Sequence, residues 1–311
     1  MSELALPGPL RNPWVRRLLA PAAFVATFAL MVYLTFPFDT VAERLESEAR
    51  TSGWELSIEK LGPVGLLGVR ARGLSVKQST DLPGAAPLEL KLDRLDLKPE
   101  LLGLLLRRIE VGFALESFGG EARGLARISS DPKVPGLSAL SLDASEIDLK
   151  QLPPSLVQDL ELIGRLVLKC DLSSLTQLEA ASGTASISLK GVGVVKGTLK
   201  LGEGMSFPLP KVVLGEVNGS ITIDKGTAKL DRFTVRGGDL EADVDGTIQL
   251  KPLFSLSQAA LHVRLKPTDK WLEQNPLIKS SMGFLGPKGE GGYTFTVSGP
   301  LSRLKQQPGR F

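Results

Sequence analysis

The chain of 311 residues contains one cysteine and one histidine. A lone cysteine excludes an internal disulfide framework and any paired-thiol site. A lone histidine excludes a multi-histidine metal site. Most metallohydrolases and thiol oxidoreductases are set aside with them. Aromatic residues are scarce, at 5%, and the formal net charge is only +3. Lysine and arginine are spread along the chain with no basic block among aromatics, which argues against nucleic acid as a partner. What is present is aliphatic: 42% hydrophobic residues, 33 glycines and 23% charged residues, enough to fold most of the chain around a core.

Leu18 to Phe36 carries no charge over nineteen residues. As a helix it would be roughly 28 Å long, close to the ~30 Å hydrocarbon core of a bilayer. Arg11, Arg16 and Arg17 precede it and Asp39 and Glu43 follow it, which predicts a cytoplasmic N-terminus. Trp14 and Tyr33 fall near the two ends, where interfacial aromatics belong. A cleaved signal peptide is the competing reading, but its apolar region is usually ~7–15 residues and ends at a small-residue site. Here the run is longer and Phe-Pro-Phe-Asp follows. A buried soluble helix lacks the polar face it would need. Pro37 ends the span, and Thr40 with Glu43 fits a capping box for a second helix. Val41, Leu45 and Ala49 give that helix an apolar stripe, and Gly53 is its expected stop.

From Trp54 the hydrophobic period becomes two. Trp54, Leu56 and Ile58 alternate with polar residues, as do Ile109 to Leu115, Leu166 to Leu172 and Leu261 to Leu265. Each reads as a half-buried antiparallel strand. Asn218-Gly219, Lys225-Gly226 and Gly237-Gly238 carry turn chemistry. Between them Ile221, Ile223, Ala228, Leu230, Phe233 and Val235 share a face. Leu240, Val244 and Ile248 continue it on one long strand bent at Gly246, and Tyr293, Phe295 and Val297 repeat the pattern. The phase slips once between Leu92 and Leu95, which predicts a bulge at Asp93–Arg94. Short helices are expected near Pro99–Arg108, Pro154–Asp159 and Thr268–Gln274. The loop from Asp131 to Gly136 is the best candidate boundary, but one elongated sheet is favoured over two domains.

The fold class expected is therefore mainly β. A single N-terminal transmembrane helix precedes an elongated, folded-over antiparallel β-sheet with a few short helices. Residues 1–17 are placed in the cytoplasm, 18–36 in the membrane, 37–53 in a juxtamembrane amphipathic helix and 54–311 in a β-rich periplasmic domain. One face of such a sheet is apolar and must be hidden, by a second sheet or by folding lengthwise into a trough. The trough leaves a groove for lipid chains or a partner strand. Its candidate lining is Ile221, Ile223, Phe233, Val235, Leu240, Val244, Ile248, Tyr293, Phe295 and Val297.

No nucleophile–base pairing is evident, and neither an enzyme nor a cofactor is expected. His262 alternates with Leu261 and Val263 and reads as a solvated strand histidine. Cys170 shares the parity of Leu166, Leu168 and Leu172 and reads as a small buried apolar residue. Asp243 and Asp245 share one strand face, but two carboxylates fall short of a calcium shell. Asn218-Gly219-Ser220 matches a glycosylation sequon and is better explained as a hairpin turn. Gly62, Gly65 and Gly68 lack the context and lysine of a phosphate loop.

The basic N-terminus, the single apolar span and the exit LTFPFDTVAERLE carry a family resemblance, as do GWELSIEKLGPVGLLGVRARGLSV, FGGEARGLARIS and GGYTFTVSGPLSRLK. The chain resembles the type II secretion system protein N family in its delta-proteobacterial form, which is similar to the AsmA-like group. The resemblance implies an inner-membrane anchor, a trough-like periplasmic sheet and an accessory role in exporting folded proteins. It implies other inner-membrane components of that system as partners, besides the bilayer itself. The alternative is lipid handling, with phospholipid or lipopolysaccharide held in the groove. No site residues carry over.

Overall fold

The computed structural model describes residues 21, 23, 24, 27, 28, 31, 33, 35–51, 53–65, 67–78, 89–100, 103, 108–129, 131, 136–157, 160–200, 206–252, 256–282, 289, 292–301 and 304–308. The expected cytoplasmic segment and most of the expected span Leu18–Phe36 lie outside them. Pro21, Ala23, Phe24, Thr27, Phe28, Met31, Tyr33 and Thr35 are helical. Among the described residues no helix is long and apolar enough to cross a membrane.

The helix after Pro37, α1 (Phe38–Thr51), starts earlier than the capping box at Thr40 predicts. The Val41 amide already bonds the Pro37 carbonyl at 3.2 Å, so Thr40 lies inside the first turn. Gly53, at φ 78°, accepts the left-handed backbone that stops it. Val41 and Ala49 are half-buried as expected, but Leu45 is exposed. Glu46 faces inward instead, because its carboxylate accepts a 2.8 Å hydrogen bond from the Ile58 amide. That bond satisfies an edge donor of the first strand.

The rest is one antiparallel sheet. Its first half comprises β1 (Trp54–Val64), β2 (Gly68–Gln78), β3 (Glu89–Pro99), β4 (Ile109–Ser117), β5 (Gly120–Ile128), β6 (Leu137–Asp148) and β7 (Glu161–Ser173). Its second half comprises β8 (Ser182–Lys200), β9 (Ser206–Leu209), β10 (Val212–Asp224), β11 (Thr227–Arg236), β12 (Leu240–Gln249), β13 (Gln258–Pro267), β14 (Tyr293–Pro300) and β15 (Lys305–Pro308). Spatial order follows chain order, except that β9 pairs only with the overhanging end of β8. The sheet continues across the expected boundary, since β5 pairs with β6; residues 132–135 of that loop lie outside the described residues. Residues 101–107 apart from Gly103 do too, and with them most of the helix expected at Pro99–Arg108.

Period-two patterning places the strands correctly, and two local expectations need correction. Asn218-Gly219 is not a turn but lies inside β10. A side chain at Gly219 would meet the Phe233 ring at 2.4 Å, so the glycine makes room for that ring across the strand pair. The hairpin turn is Lys225-Gly226, both at positive φ. No bulge isolates Asp93–Arg94, because Arg72 pairs Arg94 and Leu74 pairs Leu92 without a shift. The slip is shared across β1, β2 and β3, centred on Gly73 at φ 59°. The bulge that keeps β11 in phase is at Asp231, where Phe233 pairs Val244 and Leu230 pairs Gly246.

Helices are few: α2 (Pro154–Val157), α3 (Asp269–Gln274) and α4 (Pro276–Ser281). The Thr268 hydroxyl caps α3 by accepting from the Trp271 amide at 3.4 Å. Pro276 opens α4, which the sequence reading missed.

On the polar face Asp96 is buried between two arginines. It accepts from Arg70 Nε and Nη2 at 2.6 and 2.7 Å, and from Arg94 Nη2 at 2.8 Å. Arg94 also donates to Glu116 at 2.9 Å, joining β3 to β4. The hydrogen bonds from Arg70, then from Arg94, hold the Asp96 carboxyl well below the usual carboxylate range. A depressed folded-state pKa adds stability that is fully present above the unfolded value near 3.9 and lost as pH falls toward the folded one. Asp96→Asn is expected to lose about 2 kcal/mol at pH 7. Denaturant melts of both proteins should show that gap closing below about pH 4. A gap unchanged at low pH would mean that the carboxylate charge is not responsible.

Candidate functional site

Paired residues on neighbouring antiparallel strands point to the same face, so the register traces the chemistry of that face. A central row runs through Leu61, Ala71, Leu95, Leu115, Ala122, Ala144 and Leu168 on β1 to β7. It continues through Ile187, Gly219, Phe233, Val244, Val263 and Phe295 on β8 and β10 to β14. No member is polar. At ~4.8 Å between strands the row is roughly 58 Å long.

The rows beside it are equally apolar. One holds Leu97, Phe113, Gly124, Leu142, Cys170, Ala185, Ile221, Leu230, Gly246, Leu261 and Val297. The next holds Val111, Ala126, Leu140, Leu172, Gly183, Ile223, Ala228, Ile248 and Ala259. On the other side lie Ile147, Leu166, Leu189, Val217, Val235, Ala242, Leu265 and Tyr293. Leu240 sits two residues beyond Ala242 on β12, opposite Pro267. All ten residues proposed from the sequence thus occupy one face. Its extension across β1 to β8 was not proposed, although the alternation at Ile109–Leu115 and Leu166–Leu172 was visible.

Two helical insertions cover one end of this face. Leu149, in a short 3-10 turn after β6, packs with Val192, Val217, Val235 and Ala242. Trp271 and Leu272 of α3 and Met282 after α4 pack with Val194 and Val212. The Trp271 indole also donates to the Lys211 carbonyl at 3.2 Å. Neither cluster includes a residue of the two rows on the far side of the central row. On the far side Leu97 is 39% exposed and Ile109 and Ile128 are 42% exposed, whereas Ala228 and Ala259 are buried.

The reverse face is polar and laced with ion pairs such as Lys169–Asp143 and Arg127–Glu110. Asp243 pairs with Arg236, and His262 is exposed beside Thr296, with Nδ1 and Oγ1 3.4 Å apart. Asn218 Oδ1 accepts from Ser188 Oγ at 2.7 Å. Cys170 lies half-buried on the apolar face, and burial pushes its thiol pKa up. Among the described residues no group of three or more histidine, cysteine or acidic side chains is placed to hold a metal. No family model, curated protein or solved structure matches the chain.

Val244→Asp puts a carboxylate among aliphatic side chains and should cost about 3 kcal/mol or more if it stays charged. Asp245→Asn, on the exposed face, should stay within about 0.5 kcal/mol. Asp243→Asn loses only a solvent-exposed pair with Arg236, at most about 1 kcal/mol. Thermal melts of the three variants test the assignment of faces; equal destabilisation by all three would refute it.

Proposed function

We propose that the chain is a non-enzymatic, single-pass inner-membrane protein whose periplasmic sheet, folded lengthwise into a trough, holds the acyl chains of phospholipid or lipopolysaccharide. The observation that carries this reading is the uninterrupted apolar face, which no second sheet covers among the described residues. Leaving that area in water is unfavourable by about 25 cal/mol per Å². Acyl chains are apolar, adaptable in length and indifferent to fine side-chain pattern, as this face is. Strand order equal to chain order puts β1 beside α1, which supports a face that begins at the end of the chain nearest the expected membrane span.

A second reading is the accessory role in type II secretion. It is favoured by where the family-like segments fall: α1 with β1 and β2, the β4–β5 hairpin, and the β14–β15 end of the sheet. In that reading the partners are inner-membrane components of the secretion system, and the face receives a protein segment.

Lipid extraction from the purified full chain separates the two. Copurifying phospholipid or lipopolysaccharide is expected, and its absence would leave the secretion reading. Cys170 reports the same state, since it lies in the middle of the apolar face. A membrane-impermeant maleimide should label it slowly in the loaded protein and faster after delipidation. Equal rates before and after would argue that no chain lies over it.

Membrane orientation is tested independently. Arg11, Arg16 and Arg17 on the N-terminal side of Leu18–Phe36 predict a periplasmic C-terminus. Alkaline phosphatase fused after Phe311 should be active, and a reporter that works only in the cytoplasm should be silent.

A further inference from the structure

At the covered end of the face a separate cavity of about 460 Å³ opens between the start of β7 and the overhang of β8. Its apolar lining is Leu149, Leu152, Val157, Leu160 and Leu162, and Lys150 and Lys196 stand with it. Leu149 is almost wholly buried, while both lysines are exposed. None of the described ion pairs uses either lysine. Glu161, opposite Lys196 in the β7–β8 register, is the third charge of the lining and leaves one positive charge in excess. The volume lies in the range of small-ligand pockets, about 300–1,000 Å³.

We infer that this cavity binds one acyl chain carrying an anionic headgroup, with the chain against the leucines and the headgroup at Lys150 and Lys196. The inference rests on the acyl-chain reading of the sheet and adds a distinct, charge-selective site at its end. Two features together suit this ligand class. Five aliphatic side chains dominate the lining and Thr198 is its one neutral polar side chain, so the buried part of the ligand is hydrocarbon. Two cations against one carboxylate favour a negative group at the mouth over a neutral or positive one. Lys196 is the last residue of β8 paired with β7, opposite Glu161, and the overhang that pairs with β9 begins at Gly197 next to it.

The test uses the full chain held in amphipol and titrated with a fluorescent polyene fatty acid and with its methyl ester. The acid should bind more tightly than the ester. Lys150→Glu with Lys196→Glu should weaken the acid about tenfold or more and leave the ester unchanged. Val157→Trp fills the cavity and should weaken both while circular dichroism stays unchanged. Equal affinity of the acid for wild type and the charge-reversed variant overturns the site, as does an equal loss of both probes. Displacement of the acid by inorganic phosphate alone also overturns it, because the chain would then contribute nothing. If lipid copurifies but the acid does not bind, the cavity is refuted and the trough stands; if neither binds, both are refuted.

Discussion

The structure depends on one constraint: an apolar face crosses the sheet from β1 to β14 and, among the described residues, no second sheet covers it. A β-sandwich would hide such a face against a partner sheet. Among the described residues the two buried clusters lie at the end with Leu189, Val217, Val235, Ala242 and Leu265, packed by Leu149 from one insertion and Trp271 from another. Those two clusters anchor the strands of the C-terminal half. Ala228 and Ala259, in the row farthest from them, are buried too.

Such a face is useful only if every strand keeps its phase, because a one-residue slip turns a strand's whole apolar set to the polar side. Irregularities are therefore coordinated. The slip in β1 to β3 is shared by adjacent strands at Gly73, so Leu61, Ala71 and Leu95 still align. Asp231 bulges out of β11 and brings Phe233 back into line with Val244. The polar face resists slippage too, since Arg70, Asp96, Arg94 and Glu116 link β2, β3 and β4 through directional bonds. Phe233 over Gly219 and Phe113 over Gly124 lock two further registers by shape, each ring filling the space its glycine leaves.

Alternation of apolar and polar residues made the strands legible because each has one wet face. The candidate lining was legible for the same reason: Ile221, Phe233, Val244 and Phe295 carry a local period that survives folding. What failed needed information from across the sheet. Asn218-Gly219 has hairpin chemistry, yet the ring of Phe233 decides its conformation from a neighbouring strand. The slip at Asp93 resembles a one-strand bulge until Glu59 and Gly73 are seen beside it. Leu45 has helical spacing for burial, but the inward position goes to Glu46, whose partner is an edge amide twelve residues on. The end cavity was not legible at all, since it joins Leu149, Leu162 and Lys196 from three separate segments.

The two edges bear on which partner the sheet is built for. An open edge with free amides recruits strands from other proteins, and natural sheets blunt it when that is not wanted. The β1 edge is flanked by α1, and Glu46 occupies the Ile58 amide. At the other end β15 is only four residues long, begins with Lys305 and ends at Pro308, which lacks an amide proton. Both edges are thus poor templates for strand addition, while the face between them stays apolar and largely uncovered. Edge pairing would give the main-chain specificity that a dedicated protein partner needs; a face of Leu, Val, Ile, Ala and Gly gives almost none. Blunted edges and an open face together favour a ligand that covers area without reading sequence. That weighs for acyl chains over an added strand, and it leaves selectivity to the charged mouth at Lys150 and Lys196.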